Sequence, residues 1–128
     1  MKIEHVAIWT KDLEKVRSFY RTFFDVHSNQ LYFNPKKEFS SYFLSFESGA
    51  RIELMYNPDV SKLLGTDHPR SGLAHIAISV GSREKVNLLT EEIRNSGHRV
   101  LGEPRITGDG YYESVVSDPE GNLIEISE

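Results

Sequence analysis

The chain has 128 residues, of which 38% are hydrophobic and 27% charged, and its formal net charge is −4. This length and composition fit one compact globular domain and exclude a disordered or fibrous chain, while the dispersed basic residues argue against nucleic acid as a partner. Because the sequence contains no cysteine, disulfides, thiolate zinc sites and a cysteine nucleophile are excluded, and any metal must be held by His and carboxylate side chains.

The N-terminus alternates charged and apolar residues from Lys2 onward. It therefore lacks the apolar centre of a signal peptide, and no later run approaches the ~20 apolar residues of a membrane span. We expect a cytoplasmic protein without a membrane partner.

An internal repeat organises the chain. The segment 3–8, Ile-Glu-His-Val-Ala-Ile, is answered by 73–78, Leu-Ala-His-Ile-Ala-Ile, and Ile-Glu-Leu at 52–54 is answered by Ile-Glu-Ile at 124–126. Each half thus begins with a His and ends with a Glu. Repeats of this kind indicate duplicated supersecondary units.

Both halves predict the same order of elements, taken along the chain. Each opens with a strand of period two and continues with a helix, which Thr10 or Asp12 caps in the first half and Ser82 in the second, where Gly97 ends it. Three strands follow each helix, at about 30–34, 41–47 and 50–56, then at about 98–102, 111–117 and 122–127.

The fold class is therefore α+β, with two βαβββ modules. We expect one domain, residues 1–128, made of modules 1–57 and 73–128 that a connector, 58–72, joins.

The four repeated polar residues predict a metal site. If the first and last strands of each module are neighbours, His5, Glu53, His75 and Glu125 converge on one divalent cation, and two imidazoles with two carboxylates suit zinc, nickel, manganese or iron. A single His in a strand is more often structural, and a single Glu more often a solvated edge residue. Their recurrence at equivalent places in a repeat favours metal ligation. His27, His68 and His98 have no such equivalents, and we do not expect them to be ligands.

These residues resemble the vicinal oxygen chelate superfamily, and most closely bacterial glyoxalase I. The resemblance rests on Ile-Glu-Leu-Met-Tyr-Asn at 52–57, Ala-His-Ile-Ala-Ile-Ser-Val at 74–80 and Asp-Pro-Glu-Gly-Asn-Leu-Ile-Glu at 118–125. It implies that the two modules form curved mixed sheets around a metal site. It also implies a lactoylglutathione lyase-like enzyme that transfers a proton on a small substrate, chelated to one divalent metal through vicinal oxygens. In that reaction Glu125 is the general base, and Glu53 is the opposite carboxylate.

Four further residues are candidates for substrate contact. Glutathione-using members carry Arg where this chain has Trp9, so the resemblance leaves open whether glutathione or another thiol is the cosubstrate. Asn57 matches a residue that contacts the thiol, yet Asn after a strand is equally typical of a turn. Arg105, in a mobile segment 103–112, could meet an anionic substrate or be solvated, and Tyr111 could line the pocket or pack.

Two other functions compete with the lyase. An extradiol-type dioxygenase uses two His and one carboxylate on iron, so the additional Glu53 argues against it. A bleomycin-resistance type protein binds an aromatic drug without catalysis, which would suit Trp9, but such relatives usually lack the ligands. We expect a homodimer, and the site could form within one chain or between the two.

Overall fold

The computed structural model describes residues 3–60, 73–108 and 110–128 of the chain. It divides into two compact units, Met1–Thr66 and Asp67–Glu128. Most of the predicted connector, residues 61–72, lies outside the described residues, and so does Asp109. The predicted modules 1–57 and 73–128 within one domain therefore stay a prediction.

Among its described residues, 3–60, the first unit contains one helix and five strands. Their bounds are β1 (His5–Trp9), α1 (Leu13–Phe23), β2 (His27–Ser28), β3 (Tyr32–Asn34), β4 (Phe39–Ser45) and β5 (Arg51–Tyr56). The strands form one sheet in the order β1-β5-β4-β2, and β3 also pairs with β4. β1 runs parallel to β5, whereas the other pairs are antiparallel.

The strand predicted at about 30–34 is present as the shorter β3, and a further short strand, β2, precedes it. Between them, the backbone N–H of Asn29 donates to the carbonyl of Phe43, and the N–H of Phe43 donates to Oδ1 of Asn29 at 2.7 Å. The Asn29 side chain thus accepts a hydrogen bond that a backbone carbonyl accepts in a regular strand, and the regular pairing of strands stops there.

The second unit repeats the arrangement with one helix and four strands among its described residues. Their bounds are β6 (Ile76–Ser79), α2 (Arg83–Asn95), β7 (Val100–Ile106), β8 (Tyr112–Ser117) and β9 (Leu123–Ser127). The sheet order is β6-β9-β8-β7, with β6 parallel to β9. The predicted fold class, α+β with two βαβββ modules of mixed sheet, is confirmed.

β7 is longer than predicted, and it includes the first part of the segment 103–112. The strand continues to Ile106, and its register against β8 shifts twice, once on each side of Gly102. Pro104 has no N–H to donate and lies within the second shift, where the ladder is already interrupted. The proline therefore bulges the strand instead of ending it.

Local signals bound both helices as the sequence predicts. Asp12 caps α1 by accepting from the N–H of Lys15 at 3.0 Å, and Ser82 caps α2 by accepting from the N–H of Lys85 at 3.3 Å. After α2, Gly97 has φ +83° and His98 N–H donates to the carbonyl of Ile93. This is the six-to-one bond of a Schellman ending, which the left-handed glycine permits. Neither helix is long and apolar enough to cross a membrane, as far as the described residues go.

Each helix covers one face of the sheet in its own unit. In the first unit α1 contacts β4 and β5, and Leu44, Ile52 and Leu54 are buried. In the second unit α2 contacts β8 and β9, and Ile124 and Ile126 are buried. Such a fully buried aliphatic side chain contributes about 1.5–3 kcal/mol. Since side chains alternate along a strand, the residues between these lie on the opposite face of each sheet.

Candidate metal centre

In the first unit, the parallel pair β1 and β5 brings His5 and Glu53 together. Val6 and Ile8 lie opposite Ile52 and Leu54 on the helix-facing side, so His5 and Glu53 share the other face. Nε2 of His5 lies 3.8 Å from Oε2 of Glu53, and the two side chains are 39% and 15% exposed. The pair is therefore open to solvent on the imidazole side and enclosed on the carboxylate side.

Neighbouring residues hold the His5 ring in place. Its Nδ1 lies 2.5 Å from Oε2 of Glu4, and Glu4 also accepts from the guanidinium of Arg51. These contacts lower the pKa of Glu4, chiefly through the hydrogen bond with His5 and further through Arg51. Phe43 meets the imidazole edge-on at a centroid distance of 5.4 Å. With Nδ1 donating to a carboxylate, Nε2 carries the lone pair, as a metal ligand requires.

The second unit contains the equivalent pair, His75 and Glu125. Glu125 lies opposite Ala77 in the parallel pair β6 and β9, just as Glu53 lies opposite Ala7 in the first unit. Nε2 of His75 is 3.0 Å from Oε2 of Glu125, and the side chains are 42% and 22% exposed. The sequence repeat thus extends to the position of the side chains.

The donor atoms of each pair fit a first-row divalent cation. Two ligands about 2.1 Å from one ion and about 90° apart are about 3 Å from each other, which matches the 3.0 Å of His75 and Glu125. The 3.8 Å of His5 and Glu53 corresponds to a wider angle. In neither unit do three His, Asp or Glu side chains of the described residues form a group that could hold a metal ion. Each unit alone therefore provides two ligands, and the predicted four-ligand site stays a prediction.

Trp9 lies on the same face of the first sheet as His5 and Glu53, two positions beyond Ala7. Its ring meets Phe39 edge-on at 6.2 Å, and Phe39 meets Tyr32 at the same distance. Trp9 and Tyr32 are both exposed. The first unit thus presents an open aromatic group beside its candidate ligand pair.

Asn57 forms a turn. Its Oδ1 accepts from the N–H of Asp59 at 2.9 Å, and its carbonyl accepts from the N–H of Val60 at 3.2 Å. Of the two interpretations of this residue, the turn is confirmed, and the contact with a thiol cosubstrate stays a prediction.

The predicted substrate residues of the second unit separate into different environments. Tyr111 precedes β8, is exposed, and exchanges hydrogen bonds with Thr107 in a tight turn. The neighbouring Tyr112, which is not one of these predicted residues, packs on the helix side, where its hydroxyl donates to Asn87 of α2. Arg105, by contrast, pairs with Glu113 across β7 and β8, with Nη2 of Arg105 3.7 Å from Oε1 of Glu113.

Two residues near the candidate ligands were not predicted from the sequence. Glu4 contacts the imidazole of His5, and the signal available was an acidic residue directly before the repeated His. Glu113 lies at a position where period-two alternation places it on the face of Glu125, but a single Glu in a strand gave no reason to select it. Of the three remaining histidines, His27 is exposed, His98 contributes its N–H to the end of α2, and His68 lies outside the described residues.

A family model matches nearly the whole chain. The model describes the Glyoxalase/Bleomycin resistance protein/Dioxygenase superfamily and matches residues 2–126. No curated protein matches the chain.

Solved structures of glyoxalase proteins are similar in fold to this chain. Glyoxalase I from Zea mays has a TM-score of 0.81 at 25% identity, covering 98% of this chain and 44% of the maize chain. The trypanothione-dependent glyoxalase I of Leishmania major has a TM-score of 0.79 at 24% identity, covering 100% of this chain and 86% of its own. A glyoxalase family protein from Enterococcus faecalis has a TM-score of 0.79 at 21% identity, covering 99% and 97%. The chain therefore spans less than half of the maize enzyme, and these similarities establish the fold.

Proposed function

Because the chain belongs to the Glyoxalase/Bleomycin resistance protein/Dioxygenase superfamily, we propose that it is a metal-dependent, glyoxalase-like lyase or isomerase. It moves a proton on a small substrate that binds one divalent cation through two adjacent oxygens. The observation that supports this function best is the recurrence of one His–Glu pair in both units, with His5 at the start of β1 and His75 directly before β6.

We propose that the two pairs together hold the ion. His5, Glu53, His75 and Glu125 would supply two imidazole nitrogens and two carboxylate oxygens, a donor set that suits zinc, nickel, manganese or iron. The four ligands come from one chain or from two chains of a homodimer. A group that accepts a hydrogen bond from the outer N–H of each imidazole fixes the tautomer of the ring. For His5 this acceptor is Glu4.

The two carboxylates would carry the proton. A bound divalent cation would supply a Lewis acid that stabilises negative charge on an oxygen of the substrate. Oε2 of Glu125 would take the proton from the carbon beside the carbonyl, and Glu53, on the other side of the substrate, would return it. Both side chains are mostly enclosed, and a carboxylate with restricted access to water is a suitable proton carrier.

Metal analysis and turnover test this proposal together. Purified protein should contain a stoichiometric divalent metal. Glu53→Gln and His75→Ala should each lose most of it, because each variant lacks one of the four ligands. His27→Ala, which changes an exposed histidine of the first unit, should retain the metal. Wild-type protein without metal after loading with zinc or nickel would refute the site.

Turnover of methylglyoxal with glutathione then identifies the reaction. Activity that disappears in Glu125→Gln would support the lyase reaction with glutathione as cosubstrate. Stoichiometric metal without turnover would support the site and reject the glyoxalase I reaction. Replacing glutathione by other thiols tests whether Trp9, in place of the Arg of glutathione users, changes the cosubstrate.

The open aromatic group favours one alternative, a protein that binds a flat aromatic drug without catalysis. Trp9, Phe39 and Tyr32 present ring edges and faces on which such a ligand could stack. Trp9 is the only tryptophan of the chain, so quenching of its fluorescence reports binding directly. Tight binding of bleomycin by chelator-treated protein, with no turnover of any thiol adduct, would favour this alternative over the lyase.

We also propose that the protein acts in the cytoplasm as a homodimer. Size measurement by light scattering tests the dimer, with and without the metal.

A further inference from the structure

The second sheet carries a charged pair that the proposed chemistry does not use. Arg105 on β7 and Glu113 on β8 are register partners, and their guanidinium and carboxylate approach to 3.7 Å. The Glu113 side chain is only 11% exposed, whereas that of Arg105 is 51% exposed. A carboxylate enclosed this far needs a cation beside it, and Arg105 supplies the cation while keeping half of its own surface in solvent.

This pair lies on the same face of the sheet as Glu125. Gly102, Val115 and Glu125 stand opposite one another across β7, β8 and β9. Glu113 is two positions from Val115 on the same strand and therefore points to the same side. Arg105 is its partner, so the guanidinium, the Glu113 carboxylate and the candidate ligand Glu125 share one surface.

Gly102 provides the space in which the guanidinium lies. A Cβ at this position would be 3.3 Å from Nη1 of Arg105 and 3.2 Å from Cγ2 of Val115. Its backbone does not require glycine, since its φ is not in the left-handed range. A glycine inside a strand weakens the strand unless something approaches closely. Here the approaching group is Arg105, which folds back over the strand toward the middle of the sheet.

We propose that Arg105, oriented by Glu113 and seated over Gly102, binds a carboxylate of the substrate, so that the substrate is a small acid whose vicinal oxygens bind the metal. This inference rests on the proposed function. Arginine has five N–H donors in a planar fork that matches a carboxylate. Glu113, at 3.7 Å from Arg105, does not use all of these donors. The remaining donors are available to a carboxylate of the substrate. Glu113 is a positioning residue, which acts on the substrate through Arg105.

The register also keeps the two binding groups near each other. Gly102, over which the guanidinium lies, and Glu125 are separated by two strand spacings, about 10 Å between their backbones. A small acid of dicarboxylate size is therefore a suitable test ligand.

A matched pair of hydroxamates tests the proposal. A hydroxamate chelates zinc through two adjacent oxygens, and succinate monohydroxamate differs from butanohydroxamate in having a carboxylate where the latter has a methyl group. We expect zinc-loaded protein to bind succinate monohydroxamate about tenfold more tightly, the effect of a charge-assisted hydrogen bond. The measurement is isothermal titration calorimetry with both compounds.

Variants assign the preference to the pair. Arg105→Gln should abolish it while leaving the affinity for butanohydroxamate unchanged. Arg83→Gln is the matched control, because Arg83 is equally exposed and also pairs with a Glu, Glu128, and it should retain the preference. Glu113→Gln should reduce the preference, and Glu113→Asp should restore part of it.

Arg105→Gln leaves the Glu113 carboxylate without its cation, and this variant could unfold for that reason. Gly102→Ala is therefore a second test. The added methyl group displaces the guanidinium without removing charge, so this variant should lose the preference too. Equal binding of the two hydroxamates by wild-type protein would overturn the inference and leave the metal site standing. Failure of both compounds to bind would refute the metal site and the inference together.

Discussion

Removing the carboxylate of Glu4 should weaken metal binding although Glu4 is not itself a predicted ligand. Its Oε2 lies 2.5 Å from Nδ1 of His5, and it also pairs with Arg51. A carboxylate in this position fixes the tautomer of the imidazole and raises the basicity of its other nitrogen. Glu4→Ala leaves His5 free to rotate and to place the proton on Nε2, where the ion would bind.

The magnitude follows from the exposure of this contact. Loss of such an outer partner typically costs about 10–100-fold in metal affinity. Since the Glu4 side chain is 56% exposed, water can replace part of the hydrogen bond, and we expect the lower end, about tenfold. Glu4→Gln, which retains an acceptor but not the charge, should lose less than Glu4→Ala.

The assay is a competition titration of zinc between the protein and a fluorescent chelator at neutral pH. Glu103→Ala is the control, because Glu103 is an exposed carboxylate that also pairs with an arginine, Arg94, and the change in net charge is the same. Both variants should remain folded by circular dichroism. Equal zinc affinity of Glu4→Ala and Glu103→Ala would refute the role assigned to the Glu4–His5 contact.

Two further predictions concern the first unit. Leu44→Ala, at a fully buried position of β4, should lower the free energy of unfolding in urea by about 2–5 kcal/mol, whereas Leu31→Ala, at an exposed position, should change it by less than about 0.5 kcal/mol; similar losses would contradict the assigned core. The hydrogen bond that Tyr42 donates to Glu14 raises the pKa of Tyr42 above its ordinary value of 10.0. The neutral phenol therefore stabilises the fold below pH 10.0, and this contribution is lost as the pH rises through the raised pKa of the folded protein. The difference in unfolding free energy between wild type and Tyr42→Phe should shrink over that alkaline range, and a difference independent of pH would contradict the assignment.

The elements of the fold could be predicted because their signals are local. Asp12, Ser82 and Gly97 act through bonds to residues three to five positions away, and the period-two alternation of β1 and β5 needs only the strand itself. The His–Glu pairs were predictable for a different reason, since the repeat placed both members at equivalent positions in two independent copies.

What the sequence did not indicate depends on contacts across the sheet. The break between β2 and β3 comes from the bond of Asn29 to Phe43, fourteen residues away. The continuation of β7 through Pro104 depends on the register shifts against β8. The role assigned to Glu113 depends on its pairing with Arg105 across the sheet, and the guanidinium of Arg105 in turn lies over Gly102.

In each unit the first and last of the described strands pair in parallel, which has a consequence for folding. His5 and Glu53 are separated by 48 positions in the chain, and His75 and Glu125 by 50, so each pair is made by closing the longest loop of its unit. Local hairpins and helices can form before that entropy is lost, whereas this closure completes the unit. A unit that lacks its last strand holds no ligand pair, and ligation of a cation in either half would therefore report that its βαβββ unit has reached its native topology.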